Sequence, residues 1–303
     1  MPESKVSAGP TAGRVLRDLI EAERPLVVPG CADALTARIA ADVGFPALYA
    51  TGAGISNALL GLPDLGLATF TEVLDQVTRI CAAVDVPVIA DIDTGYGNAL
   101  NTYRAVRAFE RAGVAAVQIE DQQFPKRCGH FTGTQTVAAA EMVGKIEAAL
   151  DARRDDSLVV IARTDAIHGG GVDDAVERAS TYAQAGADLI FIEAPTTAAV
   201  LEELPRLIDA PLVANMVEGG RTPLFDARQL GAMGYRVVLF ANTALRASAL
   251  AARDVLHALR QDGGSGAVLD RLLSWDERQR LVGLPELEER AARYAITDGG
   301  FDR

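Results

Sequence analysis

Residues 120–130 read Glu-Asp-Gln-Gln-Phe-Pro-Lys-Arg-Cys-Gly-His: two carboxylates running into a proline- and glycine-punctuated loop that carries one thiol between a basic pair and an imidazole. Acid, base, anion clamp and metal ligand could all come from this stretch. Cys128, flanked by Lys126, Arg127 and His130, sits where positive charge favours the thiolate, the form that reacts or carries protons. On this segment alone three readings stand side by side: a nucleophile, a redox thiol, or a small filler in a solvated, charged loop.

The elements that must hold this loop repeat along the chain. Short apolar, β-branched runs at 25–28, 46–49, 87–91, 115–120, 158–163, 189–193, 211–215 and 236–240 are predicted to be buried parallel strands. Apolar residues at three- and four-residue spacing predict helices near 33–43, 70–83, 101–112, 139–152, 173–185, 198–207, 226–233 and 243–260. Glycines in Ala112-Gly113, Ala185-Gly186 and Met233-Gly234 fall where a left-handed cap turns each helix into the next strand. Eight strand–helix units predict an α/β fold of the (β/α)8 type, with residues 1–303 forming a single barrel domain. An open doubly wound sheet remains the alternative, because counting strands does not establish closure. Pro29-Gly30-Cys31 is, however, followed by no dinucleotide-binding glycine pattern. Beyond the Gly-rich stretch 263–266, helical segments are expected around 267–281 and 285–296, and residues 243–303 read as a packing or oligomerisation arm.

In such a barrel, function gathers at strand C-termini. Asp91 and Asp93 follow the third strand, Glu120 and Asp121 the fourth, Arg163, Thr164 and Asp165 the fifth, Glu193 the sixth, and Asn215 with Glu218 the seventh. Carboxylates brought this close are costly unless a cation neutralises them, and an all-oxygen donor set suits Mg²⁺, with Mn²⁺ as the alternative. The plainer reading is that individual acids cap helices or pair with surface lysines.

A formal net charge of -12 argues against a nucleic-acid partner. An acidic protein still takes an acidic substrate where a metal or an Arg/Lys cluster reverses the field inside one cleft. Three cysteines without disulfide or metal spacing, no apolar signal-peptide core and no apolar run of membrane-spanning length lead to the expectation of a cytoplasmic protein with reduced thiols and no membrane partner.

Taken together, Thr51-Gly52-Ala53-Gly54, Gly61-Leu62-Pro63-Asp64-Leu65-Gly66, Asp91-Ile92-Asp93-Thr94-Gly95-Tyr96-Gly97, Ile119-Glu120-Asp121-Gln122, Lys126-Arg127-Cys128-Gly129-His130, Ile161-Ala162-Arg163-Thr164-Asp165-Ala166 and Ala214-Asn215-Met216-Val217-Glu218-Gly219-Gly220 resemble the isocitrate lyase and phosphoenolpyruvate mutase superfamily. The resemblance is to its short members: methylisocitrate lyase, 2,3-dimethylmalate lyase and carboxyphosphonoenolpyruvate phosphonomutase. It implies that Asp91 ligates Mg²⁺, with Asp93 and Glu120 holding its waters and Asp64 supporting them. Backbone amides around Thr51, Gly52 and Ala53 would bind a carboxylate, and Arg163 would clamp the substrate with Glu193 and Asn215 beside it. Residues 126–130 would close over the site as a mobile loop, with Lys126, Arg127 and Gly129 against the substrate and Cys128 and His130 in the chemistry. A homotetramer exchanging its terminal helices is implied as well.

The expected chemistry is a retro-aldol cleavage of a 2-hydroxy di- or tricarboxylate to pyruvate or glyoxylate and a second carboxylate. Cys128 would protonate the carbanion, and Tyr49 would stand near the hydroxyl unless it is only a packed rim aromatic. Three departures from the methylisocitrate lyase pattern suggest a differently shaped pocket: Gln118 in place of His, Phe240-Ala241-Asn242 in place of Tyr-Pro, and Ala32 in place of a bulky aromatic. His168, in a glycine-rich loop, is open to solvent or substrate. A phosphonomutase is the alternative activity, and a non-catalytic scaffold of the same fold the remaining one.

Overall fold

The computed structural model describes residues 9–22, 24–129 and 133–295. The chain divides into two compact units, 1–246 and 247–303. In the first, strands β1 (Leu26–Cys31), β2 (Leu48–Ala50), β3 (Val88–Asp91), β4 (Ala116–Glu120), β5 (Val159–Thr164), β6 (Leu189–Ile192), β7 (Leu212–Asn215) and β8 (Tyr235–Phe240) form one parallel sheet. Pairing of β1 with β8, Leu26 opposite Val237 and Val28 opposite Leu239, closes it into a barrel. That pairing removes the open-sheet alternative.

The helices are α1 (Ala12–Glu21), α2 (Ala34–Val43), α3 (Gly52–Ile55), α4 (Phe70–Ala83), α5 (Ala99–Arg111), α6 (Ala139–Ala152), α7 (Gly171–Gln184), α8 (Ala198–Leu207), α9 (Ala227–Met233), α10 (Thr243–Asp262), α11 (Trp275–Leu281) and α12 (Leu284–Tyr294). Gly113, Gly186 and Gly234 adopt φ of 95°, 100° and 117°, the left-handed turns expected of them. The expected helix at 267–281 is instead a 3-10 turn, Gly266–Arg271, followed by α11. Ser274 breaks it by accepting the Glu277 N–H as the α11 cap, because a hydroxyl competes for backbone donors better than it continues a helix.

Strand residues alternate between two apolar layers. Ala90, Val117 and Val160 face the helices, whereas Ile89, Ile161, Phe191, Val213 and Leu239 fill the barrel. Leu16 and Ile20 of α1 join this interior layer. The sequence reading missed α1, whose apolar face is only a few residues wide. With the interior filled by side chains, open space is left at the strand C-termini, where the polar residues lie.

The second unit carries many solvent-facing apolar side chains, including Leu256, Leu269, Trp275 and Leu287. Among the described residues no helix is long and apolar enough to cross a membrane.

Candidate active site

Asp91, the last residue of β3, is fixed by three donors. Its Oδ2 accepts the Tyr49 hydroxyl at 3.1 Å and the Gly52 N–H at 3.3 Å, and its Oδ1 accepts the Asp93 N–H at 3.1 Å. Glycine is required at 52, since a Cβ there would lie 2.9 Å from Asp91 Oδ2. Asp93 takes a left-handed φ of 50°, and its Oδ1 stands 2.7 Å from Lys126 Nζ, which is also 2.6 Å from Asp64 Oδ1. Burial pushes the Asp93 carboxyl up to about 6, against the pull of Lys126 and with the help of Asp91 and Asp64. Burial also works against the Lys126 charge, but Asp93, Asp64, Glu120 and Asp91 outweigh it and hold the ammonium well above its ordinary pKa. Lys126, expected to bind substrate, is the counter-ion of the floor and also lines the cavity above it.

The opposite wall is built on Arg163 at the end of β5. Its guanidinium forms a fork with Asp165 at 2.9 and 2.8 Å and lies 3.3 Å from Glu120 and 3.4 Å from Glu193, all buried. It also stacks over the Phe191 ring, 5.2 Å from the centroid. Asp165 is held in turn by Asp121, which accepts the Asp165 N–H at 3.0 Å, the Thr164 hydroxyl at 2.7 Å, the Tyr182 hydroxyl at 2.8 Å and Arg178 at 3.3 Å. Burial raises the Glu120 pKa well above the ordinary carboxylate range, with Arg163 opposing.

The loop sits on this framework. Cys128 donates its N–H to the Asp64 carbonyl at 3.1 Å. Gly129 is packed so closely that a Cβ would lie 2.4 Å from Glu193 Cγ and 2.5 Å from both Arg163 Nη2 and Asp165 Oδ1. Gly129→Ala should therefore lower kcat by about 10²-fold, the cost of a misplacement near 1 Å, while thermal melting stays close to wild type because the loop carries little of the core. Kinetics and melting curves on the same preparation check both halves.

Tyr49, Thr51, Ala53, Cys128, Asn215 and Asn242 line a small cavity of about 30 Å³ between floor, wall and loop, together with Asp64, Asp91, Lys126, Arg127, Gly129, Arg163 and Glu193. A chamber of about 520 Å³ shares Ala53, Asp64, Cys128 and Asn242 with it. Gly52, Asp93 and Glu120 stand behind the lining, bonded to Asp91, Lys126 and Arg163. Asn215 Oδ1 and Asn242 Oδ1 are buried and accept no hydrogen bond among the described residues, so both are available to a ligand donor. His130 lies outside the described residues.

Other residues depart from expectation. Gln118 does not line the cavity: it lies two positions before Glu120 on β4, paired with Asp91 and Ile161, inside the barrel. Ala32 packs beneath Gly54 of α3. Of the three sequence departures, only Ala241 and Asn242 reach the cavity. Glu218 leaves the carboxylate cluster to accept the Thr243 hydroxyl at 2.6 Å. His168 stands 3.1 Å from Arg221 and away from the cavity walls.

Among the described residues, no three acidic, cysteine or histidine side chains stand together in a way that encloses a metal ion. Mg²⁺ keeps several waters and needs only one or two carboxylates. Asp91 supplies one, and Glu120 Oε1, buried with no hydrogen-bond partner among the described residues, is an unused hard donor. The residues present fit a hydrated Mg²⁺ or Mn²⁺.

Residues 16–260 match the family described as phosphoenolpyruvate phosphomutase. The chain belongs to that family. A 2-methylisocitrate lyase from Aeropyrum pernix is 45% identical to this member over 93% of this chain and 91% of the relative. The crystal structure of a 2,3-dimethylmalate lyase, described as a member of the PEP mutase/isocitrate lyase superfamily, superposes with a TM-score of 0.90 at 37% identity, covering 98% of this chain and 100% of that one. A phosphonopyruvate hydrolase in complex with oxalate and Mg²⁺ superposes with a TM-score of 0.84 at 33% identity, covering 94% and 99%. Family members thus include lyases and a hydrolase, and at least one holds Mg²⁺.

Lys145 was not singled out from sequence, and Asp121, Asp165 and Gln122 were read there without the partners the structure gives them. Lys145, on α6, is buried and donates to the Thr94 carbonyl at 3.1 Å, under the turn that carries Asp93. A lysine placed on the buried side of an amphipathic helix was the available signal for it.

Proposed function

We propose that the chain is a carbon–carbon lyase that cleaves a 2-hydroxy di- or tricarboxylate, of the 2-methylisocitrate or 2,3-dimethylmalate kind, to pyruvate or glyoxylate and a second carboxylate. The carrying observation is that one cavity has Cys128 on its loop side, Arg163 on its wall and the Tyr49–Asp91 pair on its floor. Arg163 binds a substrate carboxylate, and Asn215 accepts a hydrogen bond from the substrate. Tyr49, bonded to Asp91, stands at the C2 hydroxyl. The C2 hydroxyl gives its proton to the Tyr49 oxygen as Tyr49 passes its own to Asp91, and the freed O–H pair forms the C2=O bond; the C2–C3 pair passes to C3, where Cys128 gives up its thiol proton and is left as the thiolate. Asp91 and Glu120 would hold Mg²⁺ or Mn²⁺, which when bound stabilises negative charge on the 2-oxo acid oxygens. Seating of residues 126–129 excludes water from the site and protects the carbanion.

The relatives' names support the lyase reading, and the family's own description supports the alternative, a phosphonomutase. A panel of branched 2-hydroxy acids assayed for 2-oxo acid release tests the first. Rearrangement of a phosphonate seen by ³¹P resonance, with no 2-oxo acid released, would establish the second instead. Chelation with EDTA should remove the activity and added Mg²⁺ restore it, with Mn²⁺ also effective; full activity in excess chelator would refute the metal assignment.

We further propose a single barrel domain with residues 243–303 as an oligomerisation arm, and a cytoplasmic homotetramer. Exposed Leu256, Leu269, Trp275 and Leu287 support an arm with apolar surface to cover. Light scattering on the purified chain would return a tetramer mass, and a monomer would refute it.

A further inference from the structure

Gln122 is buried and lies at the root of the loop. Its side-chain amide grips both sides of one residue: Oε1 accepts the Arg127 N–H at 2.9 Å and Nε2 donates to the Arg127 carbonyl at 2.8 Å. Its backbone belongs to a short stem, in which Gln123 N–H donates to the Gln135 carbonyl at 2.8 Å and Val137 N–H to the Asp121 carbonyl at 2.8 Å. The stem is thus held beside the end of β4 by bonds that do not involve residues 126–129. Gripping Arg127 at both its N–H and its carbonyl fixes the rotation of that residue, and so sets where its two neighbours point. Those neighbours are Lys126, seated on Asp64 and Asp93, and Cys128, whose N–H meets the Asp64 carbonyl.

We propose that Gln122 is a positioning residue that clips Arg127 to the stem and so seats Lys126 and Cys128 over the site. The primary amide presents a donor and an acceptor side by side at that reach, as the clip requires. The catalytic consequence rests on the lyase reading, whereas the clip itself does not.

Trypsin reports on the clip directly, because its two target bonds follow Lys126 and Arg127 and a protease needs those bonds extended and free. Gln122→Leu is expected to raise cleavage at these two bonds roughly tenfold, and to lower kcat roughly tenfold with KM little changed, while the melting temperature holds. Gln122→Glu keeps the acceptor but sets an anion against the Arg127 carbonyl, and is expected to give the same two changes. Gln123→Leu, on the exposed side of the stem, is expected to give neither. Wild-type cleavage at both bonds in Gln122→Leu would overturn the proposal, as would cleavage that rises equally across the chain with a fallen melting temperature. The cleavage readout decides the clip even if no 2-hydroxy acid is turned over, so failure of the lyase reading remains distinguishable from failure of the clip.

Discussion

Arg163→Met is expected to lower kcat/KM by about 10³-fold or more and the melting temperature by roughly 5–15 °C. Both effects have one cause. Arg163 is the cation shared by Asp165, Glu120 and Glu193, all almost fully buried. Removing it leaves three carboxylates in a low-dielectric wall, and breaking a buried pair by deleting one partner costs about 3–5 kcal/mol. Glu120, whose pKa burial already raises, would take up a proton and recover part of that cost, which places the melting shift at the lower end of the range. The activity loss follows from the missing cation in the cavity wall and from the collapse of the surface on which Gly129 sits. Arg163→Lys keeps the charge but not the fork, so it should recover stability more than activity. Melting by calorimetry and steady-state kinetics on the two variants check this, and a stable Arg163→Met with wild-type turnover would contradict it.

Cys128→Ser is expected to lower kcat by about 10²–10⁴-fold, the range a positioned general acid supplies, with melting unchanged. Cys128 is half-buried on a loop, its N–H is fixed by the Asp64 carbonyl and its side chain faces the cavity. A serine hydroxyl fits the same space and keeps that backbone bond, so the substitution isolates proton delivery from packing. Its much weaker acidity leaves the carbanion to be protonated by water, which the seated loop excludes. Exchange of solvent deuterium into the carboxylate product should slow in parallel with turnover, and unchanged exchange would remove the thiol from the mechanism.

The barrel was legible in the sequence because its signals are local. Strands buried on both faces must be apolar throughout, as at 158–163 and 189–193, and a helix turned by Gly234 must show its glycine. Closure was not legible, since the β1–β8 pairing joins residues more than two hundred apart and leaves no mark in either segment. The site shows the same division. Asp91, Arg163 and Cys128 were found by residue type and motif, and the structure brings them to one cavity. What a local pattern does not carry is partnership. Lys126 read as a substrate-side cation without its two partners, Asp64 and Asp93; Asp165 read as one more strand-end acid without the fork it forms with Arg163; and Gln118 read as a residue near the pocket without its place inside the barrel, two positions before Glu120 on β4. Which donor meets which acceptor depends on strand stagger and loop path, and these appear only in three dimensions.

Protonation by Cys128 of the fragment released by carbon–carbon cleavage is checked by 2-oxo acid release from 2,3-dimethylmalate, 2-methylisocitrate and related acids, comparing the wild-type chain with Cys128→Ser in Mg²⁺. Pyruvate or glyoxylate is expected from at least one of these acids, formed about 10²–10⁴-fold more slowly by the variant. Equal rates for the two proteins, or no 2-oxo acid from any of the acids alongside a phosphonate rearrangement, would contradict it.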